Sequence, residues 1–245
     1  MLNRRTLTLA GLLAGTGGAA RAMGGLWVCH DVPPYVWQGE RGMEGFAFRL
    51  YEQVARQAGL AVQLQFVPFA RALRMLEAGH AEAALVFTRA PEREARFRWL
   101  FPVGRFRFAV FTLPGAGPAP STIAQLKGLR VGSLRASVGR GWLEQAGIAG
   151  VVEGKDYAEL LALLRRGIVD AVVGPEAVLR STEARDGGVG LRVTLMDNGF
   201  DFYAAAGPAM PEATVARVRA AYQQLVDAGV VAQLRKAHPE ALAPG

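Results

Sequence analysis

Few side chains in this sequence have a type and spacing suited to covalent chemistry. Histidine occurs only at His30, His80 and His238, too scattered to suggest a metal site or a catalytic triad. There is no G-x-S-x-G elbow, H-E-x-x-H helix, C-x-x-C pair or G-x-x-x-x-G-K phosphate loop. The single cysteine, Cys29, ends the apolar run Leu26-Trp27-Val28-Cys29, so a buried structural thiol is expected and an intramolecular disulfide is excluded. No metal, cofactor or catalytic residue is expected. What remains is the chemistry of recognition. Thr88 and Ser137 carry hydroxyls able to donate and accept, Arg93 stands in the series Arg89, Arg93, Arg96, Arg98, and Glu176 follows Pro175. By residue type alone these read as strand-end and N-cap hydroxyls, solvated arginines and a first-turn acid favoured by the helix dipole. Tyr35, Trp37 and Phe69 could wall a ligand site or fill a core. His30 and Asp31, as lone polar residues closing a strand, read as loop hydrogen-bonders.

The elements that would position these residues alternate. Leu26 to His30 reads as a strand, and a Pro-rich loop leads to a helix over 44–58 with Phe46, Leu50, Val54 and Ala58 at helical spacing. A strand at Val62–Val67, a helix at Ala70–Ala78 stopped by Gly79 and a short strand at Ala83–Phe87 complete a βαβαβ run, which implies a mainly parallel sheet. A further strand is expected at Phe108–Thr112. The Pro- and Gly-rich stretch 113–120 reads as a crossover between two lobes. A second α/β run follows to 196. Met196-Asp197-Asn198-Gly199 offers a second crossing, after which 197–245 returns to the first lobe. The expected organisation is thus 23–112 for the first part of lobe 1, 113–120 for the crossover, 121–196 for lobe 2 and 197–245 for the return. Two crossings make a hinge, and a cleft between lobes is a common place to hold a small ligand.

Residues 1–22 set the expected compartment. Arg4 and Arg5 precede an apolar stretch from Leu7 to Ala14, and Ala20-Arg21-Ala22 supplies small residues before a cut. That is secretory signal architecture, by the general or the twin-arginine route, and predicts a periplasmic protein. The apolar stretch is far short of the roughly 20 residues that cross a bilayer. Loss of this segment removes three arginines and no acid, taking the formal charge from +7 to +4. The remaining arginines are scattered rather than clustered, so no nucleic-acid footprint is expected.

Several phrases, in order and spacing, resemble family 3 of the bacterial extracellular solute-binding proteins, the periplasmic amino-acid receptors of ABC importers. They are Gly42-Met43-Glu44-Gly45-Phe46, Pro68-Phe69-Ala70-Arg71-Ala72-Leu73, and Phe87-Thr88-Arg89-Ala90-Pro91-Glu92-Arg93 with Trp99-Leu100-Phe101-Pro102. In the second half they are Leu126-Lys127-Gly128-Leu129-Arg130-Val131-Gly132 and the stretch from Leu161 to Val173. The resemblance implies the two-lobed type II periplasmic-binding-protein fold. It also implies a monomer that closes on a small polar ligand and docks on a membrane permease of an ABC importer, or on a sensor partner. Through it, Arg93 matches the arginine that grips a ligand carboxylate, a task suited to planar paired donors. Thr88 and Ser137 match the two hydroxyl positions, one per lobe, with Val138 adding backbone N–H at a helix start. Phe69 matches an aromatic at the cleft, and Tyr35 is a further candidate wall.

One departure stands out. Many amino-acid receptors of this kind place an aspartate for the ligand's α-ammonium where this sequence has Pro175, followed by Glu176. Either Glu176 takes that role or the ligand has no α-ammonium in the usual place; Asp201 is another possible carboxylate. The expected function is therefore non-enzymatic capture of an amino acid or related organic acid. The alternatives are an enzyme resembling cyclohexadienyl dehydratases, with Glu176 as general acid, and a sensory ligand-binding module.

Overall fold

The computed structural model describes residues 23–117, 120–188, 190–196 and 199–241. The expected signal segment 1–22, Pro118 and Ala119 of the expected crossover, and Asp197 and Asn198 of the second crossing lie outside the described residues.

The first half builds strands β1 (Met23–Cys29), β2 (Trp37–Gly39) and β3 (Gly42–Glu44), helix α1 (Phe46–Gln57), β4 (Ala61–Phe66), α2 (Phe69–Glu77) and β5 (Ala83–Arg89). A 3-10 turn at Pro91–Arg93, β6 (Arg98–Phe106) and β7 (Phe108–Thr112) follow. The second half adds a 3-10 turn at Ile123–Leu126, β8 (Val131–Leu134), α3 (Val138–Gln145), β9 (Val152–Gly154), α4 (Tyr157–Arg165), β10 (Ala171–Pro175), α5 (Glu176–Arg185) and β11 (Arg192–Leu195). Strand β12 (Phe200–Ala206), α6 (Glu212–Asp227), α7 (Val230–Ala237) and a last 3-10 turn at Pro239–Ala241 end the described chain.

Two five-stranded sheets result, in the orders β4-β1-β5-β12-β6 and β11-β7-β10-β8-β9. Within each, the strands linked by helices pair in parallel, β4, β1 and β5 in one and β10, β8 and β9 in the other, as helical crossovers require. Strands β12 and β7 add antiparallel.

The chain crosses from the first sheet to the second at Arg107 alone, since β6 belongs to one sheet and β7 to the other. This corrects the expected crossover at 113–120, which falls after β7 and inside the second lobe. Glycine and proline mark that stretch as a turn, but strand pairing, not turn composition, decides which lobe a strand joins. The return runs between Leu195 and Phe200. Every residue of β7 is buried, because both faces of this strand are covered.

Packing follows the apolar periodicity. Phe46, Leu50 and Val54 turn one face of α1 into the core. Gly45 starts that helix at φ 107°, and a side chain there would meet the Tyr35 carbonyl at 2.4 Å, so the position needs glycine. In β5 the residues Leu85 and Val86 oppose Ala204 alone, because Phe87 pairs with Tyr203 and Ala84 with Ala205. Val86 sits at φ 61°, the signature of a bulge that re-aims the strand end carrying Thr88.

Candidate functional site

The carboxyl ends of β1 and β5 in the first lobe and of β8, β9 and β10 in the second bring most of the polar candidates toward one another, the usual ligand position in open α/β sheets. A cavity of about 300 Å³ lies between His30, Asp31 and Pro68 on one side and Lys155 and Asp156 on the other.

Arg93 ends the 3-10 turn that follows β5, with proline at its first position and its own N–H bonded to the Ala90 carbonyl. Its residue is 4% exposed. One Nη donates to the Thr88 carbonyl at 3.2 Å, and the other reaches across to the second lobe and donates to the Ala136 carbonyl at 3.1 Å. The guanidinium lies over the Phe69 ring, 5.4 Å from its centroid. Among the described residues no carboxylate stands within 4.0 Å of it. Burial pulls its pKa down to about 10. The two carbonyl oxygens accept from the guanidinium without neutralising its charge, an expensive arrangement for a buried cation.

Ala136, the acceptor from the second lobe, adopts φ 59°, a left-handed conformation that costs a non-glycine residue about 1 kcal/mol or more. Ser137 follows as the N-cap of α3, its Oγ accepting from the Arg140 N–H at 3.1 Å. Val138 is buried at the first helical position, where backbone N–H groups lack intrahelical acceptors. Thr88 is partly buried, and Phe69, the first residue of α2, packs on His30 and Phe87.

Two candidates are engaged within the protein. Tyr35 has no accessible surface; it packs edge-on against Phe202, and its hydroxyl donates to the Arg105 carbonyl at 3.4 Å. It fills the first-lobe core rather than walling the cleft, because the close approach of Gly104 leaves room for its ring. Glu176 opens α5 as a first-turn acid, and its carboxylate accepts from Arg180 one turn on, at 2.9 Å. Asp170 is tied to Arg130 by side-chain and backbone bonds.

Residue type alone did not reveal two participants. His30 is 6% exposed beside Phe69; burial and then the Arg93 charge push its pKa down to about 3, so the imidazole is neutral. Arg185, at the end of α5, reaches the first lobe: its Nη1 is 3.7 Å from the Asp31 carboxylate, its Nη2 donates to the Gln38 carbonyl at 3.5 Å, and it lies 5.5 Å over Trp37. Nothing local in the sequence links residues this far apart. Among the described residues, no group of three or more His, Cys, Asp or Glu could hold a metal ion.

The model of the bacterial extracellular solute-binding proteins, family 3, matches residues 26–238. The chain belongs to that family. Among solved structures, a histidine kinase sensor domain with similarity to periplasmic binding proteins aligns at TM-score 0.82 and 18% identity, over 89% of this chain and 97% of that one. The arginine-, lysine-, histidine-binding protein ArtJ from Geobacillus stearothermophilus aligns at TM-score 0.77 and 19% identity, over 86% and 94%. An ancestral arginine-binding protein bound to arginine aligns at TM-score 0.78 and 21% identity, over 88% and 98%. At these identities the likeness carries the two-lobed fold and not the ligand. No curated protein matches the chain. No helix among the described residues is long and apolar enough to cross a membrane.

Proposed function

We propose that this solute-binding protein captures a small carboxylate-bearing molecule, an amino acid or a related organic acid, between its lobes in the periplasm and delivers it to an ABC-type importer. The observation that carries this reading is Arg93, a buried guanidinium at the meeting of the lobes with no carboxylate of the described protein against it. A ligand carboxylate would supply the missing charge through two parallel bonds, with Phe69 beneath the guanidinium and the Thr88 and Ser137 hydroxyls beside it. Closure follows if the ligand touches both lobes, since it then binds the closed form more tightly than the open one.

Calorimetric titration against amino acids and organic acids tests the reading. Wild type is expected to bind at least one member, and Arg93→Ala to lose affinity by about a hundredfold or more, the scale of a lost charged hydrogen-bond pair. Folded wild type that binds no member would overturn it. A dehydratase would use Glu176 on its substrate, and one oxygen of that carboxylate accepts from Arg180, which supports the dehydratase reading less than carboxylate capture. A sensory role is the second reading, favoured by the likeness to a histidine kinase sensor domain. Permease and ATPase genes beside this one would support import, and a kinase gene would support sensing.

A further inference from the structure

One wall of the cavity between the lobes is an imidazole that no described residue bonds. His30 follows β1 and lines that cavity beside Asp31 and Pro68, across from Lys155 and Asp156 of the second lobe. It is 6% exposed, and its ring is set against Phe69 with centroids 4.9 Å apart. Nδ1 is sealed from solvent with no partner, and Nε2 makes no hydrogen bond among the described residues. Of the two nitrogens only Nε2 is open to the cavity. Burial, and then the Arg93 charge, keep the ring neutral, so it carries one N–H and one bare nitrogen. Buried N–H groups without an acceptor are rarer than bare acceptors, which puts the proton on Nε2 and leaves Nδ1 bare.

The neighbouring polar groups leave that N–H unanswered. The Asp31 carboxylate accepts from the Gln38 N–H at 3.3 Å and faces Arg185 at 3.7 Å. The Asp156 carboxylate accepts from the Glu159 N–H at 2.7 Å and makes no ion pair among the described residues. Neither takes the His30 proton, although both line the same cavity. Asp31 and Lys155 are exposed and Asp156 is partly buried, so bulk water can serve them, whereas His30 is both buried and unbonded. As core filling alone the ring is a poor choice, because leucine would pack on Phe69 without burying an unpaired N–H.

We propose that His30 is a ligand-contacting residue, donating the N–H of Nε2 to an oxygen of the molecule held between the lobes, and that it thereby selects a ligand with an oxygen acceptor at this wall. The proposal rests on the reading of capture between the lobes and adds a first-lobe contact that does not run through Arg93. Arg93 is not among the walls of this cavity. The two residues meet instead on the Phe69 ring, whose centroid lies 5.4 Å from the guanidinium and 4.9 Å from the imidazole, so one small ligand can touch both. A ligand with only apolar surface at this wall would leave the N–H buried and unpaired, and is selected against.

Imidazole nitrogen NMR on the full mature chain reads the ring directly, since His30, His80 and His238 are its only histidines and loss of signals in His30→Gln identifies the first. The probes are the common amino acids and the straight-chain mono- and dicarboxylates of two to six carbons, ranked by calorimetry. The free protein at pH 7 is expected to show His30 neutral with its proton on Nε2. Saturation with the tightest-binding probe is expected to move that proton downfield and slow its exchange with water, leaving His80 and His238 unchanged. His30→Leu should weaken the same probe by about tenfold, the scale of one lost hydrogen bond to an ionised oxygen. His30→Gln, whose amide nitrogen reaches toward the place of Nε2, should recover part of the loss. Binding that leaves the His30 proton unmoved, full affinity in His30→Leu, or a proton found on Nδ1 would each overturn the contact while leaving capture intact. Failure of every probe to bind folded wild type would overturn both readings.

Discussion

Two arginines cross the cleft in opposite directions, and their settings differ. Arg93 leaves the first lobe, is almost wholly buried, and finds only the Thr88 and Ala136 carbonyls. Arg185 leaves the second lobe, keeps 40% of its side chain exposed, and finds a carboxylate, a carbonyl and the Trp37 ring. The better-paired cation is the one water already stabilises; the buried one has no carboxylate bonded to it, the exposed Glu92 acting on it only at longer range. Folding alone would arrange them the other way round, because an unpaired charge costs most where water is excluded. On the proposed function the stability spent on Arg93 serves a ligand, whereas Arg185 completes its contacts within the chain.

The sharpest way to break this comparison is to replace each arginine with methionine, which keeps the apolar stem and removes the charge. Arg93→Met is expected to raise the unfolding temperature of the ligand-free protein, by the equivalent of about 1–3 kcal/mol, while abolishing carboxylate binding. The Ala136 carbonyl loses a donor in the exchange, which offsets part of the gain. Differential scanning calorimetry with and without ligand measures both sides. A destabilised Arg93→Met protein would mean that the two carbonyl bonds outweigh the burial of the charge, and the contrast with Arg185 would lose its meaning.

His30 sharpens the same point with a titration. Its pKa in the folded protein, about 3, lies below the value of about 6.5 expected when unfolded. The unfolded chain then binds the extra proton as pH falls, so the stabilisation from a neutral buried His30 is complete above about pH 6.5 and is lost progressively toward pH 3. At pH 4.5 the loss is on the order of 2–3 kcal/mol. Urea midpoints taken between pH 7 and 4.5 should fall less steeply in His30→Leu than in wild type. Parallel slopes would show that the imidazole is not kept neutral beside Arg93.

Much of this arrangement was open to a reading of the sequence, and the part that was not has a common cause. The 3.6-residue spacing of Phe46, Leu50 and Val54 gave α1, and Thr88 was read as a strand-end residue, as it is in β5, because such signals are local. The passage between lobes was misplaced because it takes one residue, Arg107, without glycine or proline, while Phe108–Thr112 reads as the same kind of strand whichever sheet it joins. Tyr35 was misread because a tyrosine beside a Pro-rich loop looks like a cleft wall until its ring is found against Gly104 and Phe202. His30 and Asp31 were read as loop hydrogen-bonders, as Asp31 is on the Gln38 N–H; their further meeting with Arg93 and Arg185 comes from a juxtaposition that no local pattern encodes.

The smallest expected effect falls on Arg185 and is for that reason diagnostic. With its side chain and that of Asp31 40% and 45% exposed, the pair belongs to the class worth about 0.2–1 kcal/mol, and salt screens it over a length of about 10 Å at 0.1 M. Stacking on Trp37 adds a comparable amount that salt affects less. Arg185→Ala should therefore shift the thermal midpoint only slightly, by the equivalent of about 1 kcal/mol. That shift should shrink but not vanish between 0.05 and 0.5 M sodium chloride. A shift that disappears would assign the contact to charge alone, and one that ignores salt would assign it to the ring. A loss well beyond 1 kcal/mol would place Arg185 in the same class as Arg93 and erase the distinction between a cation held for the fold and a cation held for a ligand.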